Sequence, residues 1–180
     1  GARVAAVISN KADAKGLVFA KEHGIATEVL DHKQFDSREA FDAQLAEVID
    51  RYEPALVVLA GFLHILTGEM VAAFPNAILN VHPALIPSFC GAGCYGLHVH
   101  EKALAYGVKV TGATVHFVTE EPDGGPIVLQ KAVDIREDDT PETLQRRVME
   151  EAEWQLLPRA VSLFCEDRLS VEGRLVRIRD

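Results

Sequence analysis

The chain switches repeatedly between short apolar runs and segments with helical spacing, and this alternation constrains its fold more than any other feature. Arg3–Ser9 (RVAAVIS), Ala26–Leu30, Leu56–Ala60 (LVVLA) and Ala77–Val81 (AILNV) read as strands. Lys15–His23, the stretch from Asp36 to Tyr52, and Thr67–Phe74 read as the helices between them. Gly24 stands where a helix-ending glycine belongs. Asp36-Ser37-Arg38-Glu39 looks like a capped start, with Glu39 three residues after Asp36. Phe41, Leu45, Val48, Ile49 and Tyr52 then share one face. Short strands joined by helical crossovers imply a parallel sheet with helices on its faces. An unbroken apolar run such as Leu56–Ala60 suits a strand buried on both sides.

The second half changes character. His82–Leu97 holds two prolines and three glycines and reads as loop. His98–Tyr106 is helical and closed by Gly107. Val108–Thr119 and Ile127–Ile135 are long β-type runs joined by Glu120-Glu121-Pro122-Asp123-Gly124-Gly125-Pro126. Thr140-Pro141 supplies an N-cap and first-turn proline for a helix running towards Phe164, with a kink expected at Pro158. Leu169–Val171 and Arg174–Ile178 form a hairpin around Glu172-Gly173. The expectation is one α/β domain over residues 1–180. Its central sheet is mostly parallel and flanked by helices, with antiparallel strands in the second half and a C-terminal hairpin.

Composition narrows the partners. Eighteen Lys and Arg against 27 Asp and Glu leave a formal net charge of −9. Nucleic-acid and anionic-membrane surfaces need clustered cations, so neither partner is expected. The longest apolar run, Ala55 to Leu63, is about half of the roughly 20 residues that a membrane span needs. Cys90, Cys94 and Cys165 are too few and odd in number for a disulfide scaffold, which suits reduced thiols in the cytoplasm.

The sharpest local feature is Leu79-Asn80-Val81-His82-Pro83-Ala84-Leu85-Ile86-Pro87. Ligands of open α/β sheets bind beyond the carboxyl ends of strands. Asn80 and His82 lie at such an end, two residues apart, and so point the same way. An amide N–H can hold a developing oxyanion, and an imidazole can take and return a proton near neutral pH. Asp123 tops a glycine-flanked loop; folded over that strand end, it would orient His82. On residues alone, Asn80 is as readily a strand-end cap, His82 a structural histidine before proline, and Asp123 a turn aspartate. No G-x-S-x-G nucleophile elbow occurs, so direct transfer between two bound substrates is expected. His98-Val99-His100 is a weak metal signal and Cys90-x-x-x-Cys94 lacks the usual zinc spacing, so no metal is expected.

Asn80-Val81-His82-Pro83-Ala84-Leu85-Ile86-Pro87, with Thr111-Gly112-Ala113-Thr114-Val115-His116-Phe117-Val118 and Asp123-Gly124-Gly125-Pro126-Ile127, resembles the folate-dependent formyltransferase family. Ser9-Asn10-Lys11-Ala12-Asp13-Ala14, Gly24-Ile25-Ala26-Thr27, Phe35-Asp36-Ser37-Arg38-Glu39 and Ala60-Gly61-Phe62 favour its purine-synthesis branch. The resemblance covers nearly the whole chain. It implies a Rossmann-like fold. It also implies transfer of a formyl group from 10-formyltetrahydrofolate, the co-substrate, to the amine of glycinamide ribonucleotide. No tightly bound cofactor is implied. The family's catalytic Asn, His and Asp fall on Asn80, His82 and Asp123. Folate contacts fall on Leu63, His64, Ile65, Leu66, Val71, Val118, Thr119, Glu120 and Arg38. Nucleotide contacts fall on Gly61, Val81, Pro83 and Glu153. His64 stands where many members carry Arg, and Phe89–Val99 is longer than the loop in many members. The chain opens where the family's second strand begins, so the first strand, first helix and phosphate loop are expected to be absent. The resemblance suits a monomer or homodimer. Two rival readings follow. One is a deformylase of the same folate, although such relatives carry a second His where Pro83 stands. The other is a folate-binding domain without activity.

Overall fold

The structure, a computed structural model, describes residues 1–62 and 65–180. β1 (Ala6–Ser9) and β2 (Ala26–Val29) pair in parallel and form a small sheet of their own, with α1 (Lys15–Glu22) between them in sequence. α2 (Arg38–Asp50) follows. Its N-cap is Ser37, not Asp36: the Ser37 Oγ accepts the Ala40 N–H at 3.0 Å. A serine hydroxyl reaches the third amide of the helix from the cap position, which Asp36 precedes by one residue. α2 buries Phe41, Leu45, Val48 and Ile49, the stripe that the spacing predicts.

The larger sheet has six strands in the order β3-β4-β5-β6-β8-β7. β3 (Val57–Leu59) runs parallel to β4 (Ile78–His82), and α3 (Gly68–Ala73) lies between them in sequence. β5 (Val110–Phe117) is antiparallel to both β4 and β6 (Ile127–Asp134). β7 (Leu169–Glu172) and β8 (Leu175–Ile178) form the C-terminal hairpin, with β8 parallel to β6. The architecture is α/β with a mixed sheet: the first half contributes the parallel pairs β1–β2 and β3–β4, and the second half brings in the antiparallel pairs β4–β5, β5–β6 and β7–β8 beside the parallel β6–β8 pair. Leu56–Ala60 was expected to be buried on both faces, but Val58 is 37% exposed. β3 is an edge strand among the described residues, so one side of it has no neighbour in the sheet.

β4 carries the core on both of its faces. Leu79 packs with Val115, Phe117, Leu144, Val148 and Leu156. Its neighbour Ile78 points the other way and packs with Phe41, Leu45, Ile49, Leu66 and Met70. Alternation along a strand makes this possible. α4 (Leu97–Tyr106) ends at Gly107, whose φ of 87 is a conformation glycine adopts without penalty. α5 (Pro141–Val148) opens with a reciprocal Thr140–Thr143 cap. The helix predicted to run from Thr140-Pro141 towards Phe164 continues to Cys165, with one local change of winding. A π-helical turn at Met149–Glu153 separates α5 from α6 (Trp154–Cys165). Pro158 sits inside α6; it lacks an N–H and crowds the carbonyl of Trp154, four residues back, next to that turn.

Candidate active site

Strand pairing builds the floor of the site. Asn80 lies opposite His116, and His82 opposite Thr114, across the antiparallel β4–β5 ladder. Directly opposed residues share a face, so these four side chains project together from the carboxyl end of β4. Val81 points the other way into the core, leaving only its backbone on the site side. The Thr114 hydroxyl donates to the Ala84 carbonyl at 2.8 Å and accepts from Ile86 N–H and Gln130 Nε2. That hydroxyl pins the turn after His82.

The histidines are locked from behind. His116 is 2% exposed, and its Nδ1 is 3.0 Å from the Phe117 carbonyl. A carbonyl only accepts, so Nδ1 carries the proton. Burial pushes the ring's pKa down; the Phe117 carbonyl and Asp123 oppose this, while His82 adds to it. The neutral ring therefore presents Nε2 as an acceptor, 3.3 Å from the Asn80 amide nitrogen. One N–H of Asn80 is thereby committed, and the second has no protein partner among the described residues. His82 is 4% exposed and donates from Nε2 to the Phe89 carbonyl at 2.7 Å.

Two loops form the rim. Asp123 reaches down with Oδ1 at 3.7 Å from His82 Nδ1 and 3.8 Å from His116 Nε2. These separations exceed a hydrogen bond and act as charge–dipole or ion-pair contacts. Its other oxygen accepts the Gly91 N–H at 2.9 Å. Both rim residues adopt left-handed backbone, Phe89 with φ 49 and Asp123 with φ 54. Such strain gathers where surrounding contacts fix an otherwise unfavourable shape. Gly125 closes the second loop: a Cβ there would lie 1.6 Å from the Phe117 carbonyl oxygen.

The remaining candidates divide. Leu63 and His64 lie outside the described residues. Ile65 is 50% exposed, whereas Leu66 is buried in the core around α2 and α3. Leu66 can thus only back a cleft wall from inside. Val71 and Val118 are partly buried against the same core. Thr119 is partly buried, Glu120 is exposed, and Arg38 lies exposed in the first turn of α2. Gly61 has φ 64, and a Cβ there would meet nothing within 4 Å among the described residues; Pro83 is partly buried directly after His82. Glu153 closes the π-helical turn, a feature frequent at functional sites. Burial pushes its carboxyl up to about 7. His116 is a site-lining residue that the motif pattern does not single out. Its signal was the two-residue alternation of Thr114 and His116 opposite Asn80. Among the described residues, no group of three or more His, Cys, Asp or Glu is placed to hold a metal ion.

Fold and site together define a class: an α/β domain in which an amide and two imidazoles face a carboxylate at a strand end. Known proteins sharpen this. A profile of the formyl transferase family matches residues 1–161, and the chain belongs to that family. It is 44% identical over 168 residues to phosphoribosylglycinamide formyltransferase of Escherichia coli, covering 93% of this chain and 76% of that protein. It is 45% identical to the trifunctional purine biosynthetic protein adenosine-3 of Gallus gallus, over 94% of this chain but only 16% of that protein. The crystal structure of glycinamide ribonucleotide transformylase 1 from Symbiobacterium toebii superposes with a TM-score of 0.92 at 49% identity. That match covers 99% of this chain and 81% of the other. A formyltetrahydrofolate deformylase from Pseudomonas syringae matches at 30% identity and TM-score 0.86, over 98% of this chain and 56% of the other.

Proposed function

We propose that this chain transfers the formyl group of 10-formyltetrahydrofolate to the amine of glycinamide ribonucleotide. The observation that carries the reading is the convergence of Asn80, His82 and Asp123 at one strand end, with His116 turning the Asn80 amide. The amine nitrogen attacks the formyl carbon, and the carbonyl electrons move onto oxygen. The free N–H of Asn80 and a protonated His82 stabilise that charge. Asp123 holds the imidazolium and helps carry the amine's proton to the folate nitrogen as its bond to carbon breaks. No covalent bond to the protein forms.

Val71, Val118 and Thr119, with Ile65 and Glu120 at its mouth, form the folate cleft in this reading, and Arg38 faces the folate's carboxylate tail. Gly61, the Val81 backbone, Pro83 and Glu153 receive the nucleotide, with Glu153 accepting from its ribose hydroxyls. The chain works as a single domain, as a monomer or homodimer in the cytoplasm, without a metal. Among the described residues no helix is long and apolar enough to cross a membrane. Mixing the protein with both substrates tests the reading: absorbance of the deformylated folate must rise only when the amine is present. Release of formate without an amine acceptor would instead assign hydrolysis.

A further inference from the structure

Two thiols sit in the rim loop, and the backbone on both sides of one of them holds the site. Cys90 lies between Phe89, whose carbonyl accepts from His82, and Gly91, whose N–H donates to Asp123. Cys90 Sγ donates to the Pro87 carbonyl at 3.3 Å. Cys94 lies four residues on and is partly exposed, and the Lys102 ammonium donates to its Sγ at 3.4 Å. A turn already draws the two cysteines towards each other, with the Cys94 N–H on the Gly91 carbonyl at 3.2 Å. Gly91 and Gly93, with φ of 86 and 74, give that turn pivots without side chains.

We propose that Cys90 and Cys94 form a redox pair: a low-molecular-weight disulfide oxidises them to an intramolecular bridge, which withdraws the rim loop from His82 and Asp123. The proposal rests on the catalytic reading of those two residues. The Cys94 sulfur, beside its ammonium, attacks the small disulfide, forms a mixed disulfide and releases one small thiol. The Cys90 sulfur then attacks Cys94 and releases the second. Two protein thiols are oxidised, one small disulfide is reduced, and both thiol protons end on the released thiols. The order follows from the surroundings: burial, then the Asp123 carboxylate, push the Cys90 thiol up, so it reacts second.

Bridging requires Cα atoms about 4.4–6.8 Å apart and Cβ atoms facing each other. A bridged Cys90 sulfur carries no proton, so it gives up its bond to the Pro87 carbonyl and turns towards Cys94. Because Cys90 is bonded directly to both clamp residues, its movement displaces the Phe89 carbonyl and the Gly91 N–H together.

The test uses the full chain carrying Cys165→Ser, which removes the exposed third thiol. Hydroxyethyl disulfide should lower the intact mass by about 2 Da, the two hydrogens lost on bridging, with a peptide cross-link between residues 90 and 94. Turnover should fall at least about tenfold and return with dithiothreitol, as expected of a reversible disulfide. Adding Cys94→Ser should leave activity unchanged by the same treatment. A second readout needs no turnover: the His82 ring nitrogen resonances should shift on bridging, because Nε2 loses its carbonyl. The inference is overturned if only mixed disulfides form, or if a bridged protein keeps its turnover or its His82 resonances. A reduced protein without turnover whose His82 signal still moves on bridging would instead count against the catalytic reading alone.

Discussion

The floor and the rim of this site are held by different forces. The floor is strand-built: Asn80 and His82 on β4 and His116 on β5, in fixed register, over a core that includes Leu79 and Val115. The rim is loop-built: Phe89, Gly91 and Asp123 are held by single hydrogen bonds, and all three have positive φ. In the proposed reading, removing Asn80 or His82 deletes chemistry and leaves geometry standing. Changing the rim leaves the chemical groups present and moves them.

The largest effect should come from the floor. His82→Ala should lower kcat by about 10²–10⁴-fold, the usual cost of losing a positioned acid–base group. Asn80→Ala should cost about 10²–10³-fold, the range for one oxyanion donor. Thermal unfolding should confirm that both variants remain folded. A loss of less than tenfold in both would remove the floor from the chemistry.

The rim is broken at Gly125. A Cβ at this position meets backbone, not a flexible side chain, so Gly125→Ala must shift the loop that carries Asp123. Turnover should fall about as far as in Asp123→Asn. The double variant should lose little more, because neighbours acting through one group are not additive. Full additivity would separate loop shape from Asp123. Within the floor, His116 acts through its neighbour Asn80. His116→Leu keeps the burial but frees the Asn80 amide to turn, and should cost about tenfold in kcat with KM nearly unchanged, as loss of a supporting hydrogen bond does.

Much of the floor was legible because strands repeat every two residues. Asn80-x-His82 at the end of an apolar run gave both the side-chain direction and the strand end. The Ser37 cap, the edge position of β3 and the π-helical turn before Trp154 were not legible. Each depends on which neighbour the chain meets, and local pattern does not carry that. His116 stayed hidden for a related reason. Its meaning comes from register with Asn80, and register is set across a connection of 27 residues from Pro83 to Lys109.

Glu153 gives a smaller, pH-dependent test. Its carboxyl is pushed up to about 7 by burial, above the unfolded value. The folded chain therefore holds a proton that the unfolded chain has lost, and stability falls as pH rises from about 4.5 to about 7. One such proton gives a slope of at most about 1.4 kcal/mol per pH unit. Glu153→Gln should flatten that part of the stability curve. In the proposed reading it should also remove a pH dependence of KM for the nucleotide near neutrality, while kcat changes little.

The smallest effect concerns a residue behind the floor. His100 is 1% exposed on α4, and neither ring nitrogen has a partner among the described residues. Burial, and secondarily His82, push its pKa down to about 4. The unfolded chain binds a proton at His100 below about 6.5 and the folded chain does not, so stability falls as pH drops from about 6.5 to about 4. Burial lowers His116 in the same direction, so the two contributions overlap and substitution should remove only part of the slope. An unpaired buried polar group costs about 1–3 kcal/mol, and an apolar group of similar shape avoids that cost. His100→Leu should therefore hold or raise stability at pH 7 by about 1 kcal/mol and weaken the acid-side decline, with denaturant midpoints across pH as the measure. A loss of more than about 2 kcal/mol would show that the ring is satisfied in solution and helps hold the wall behind His82.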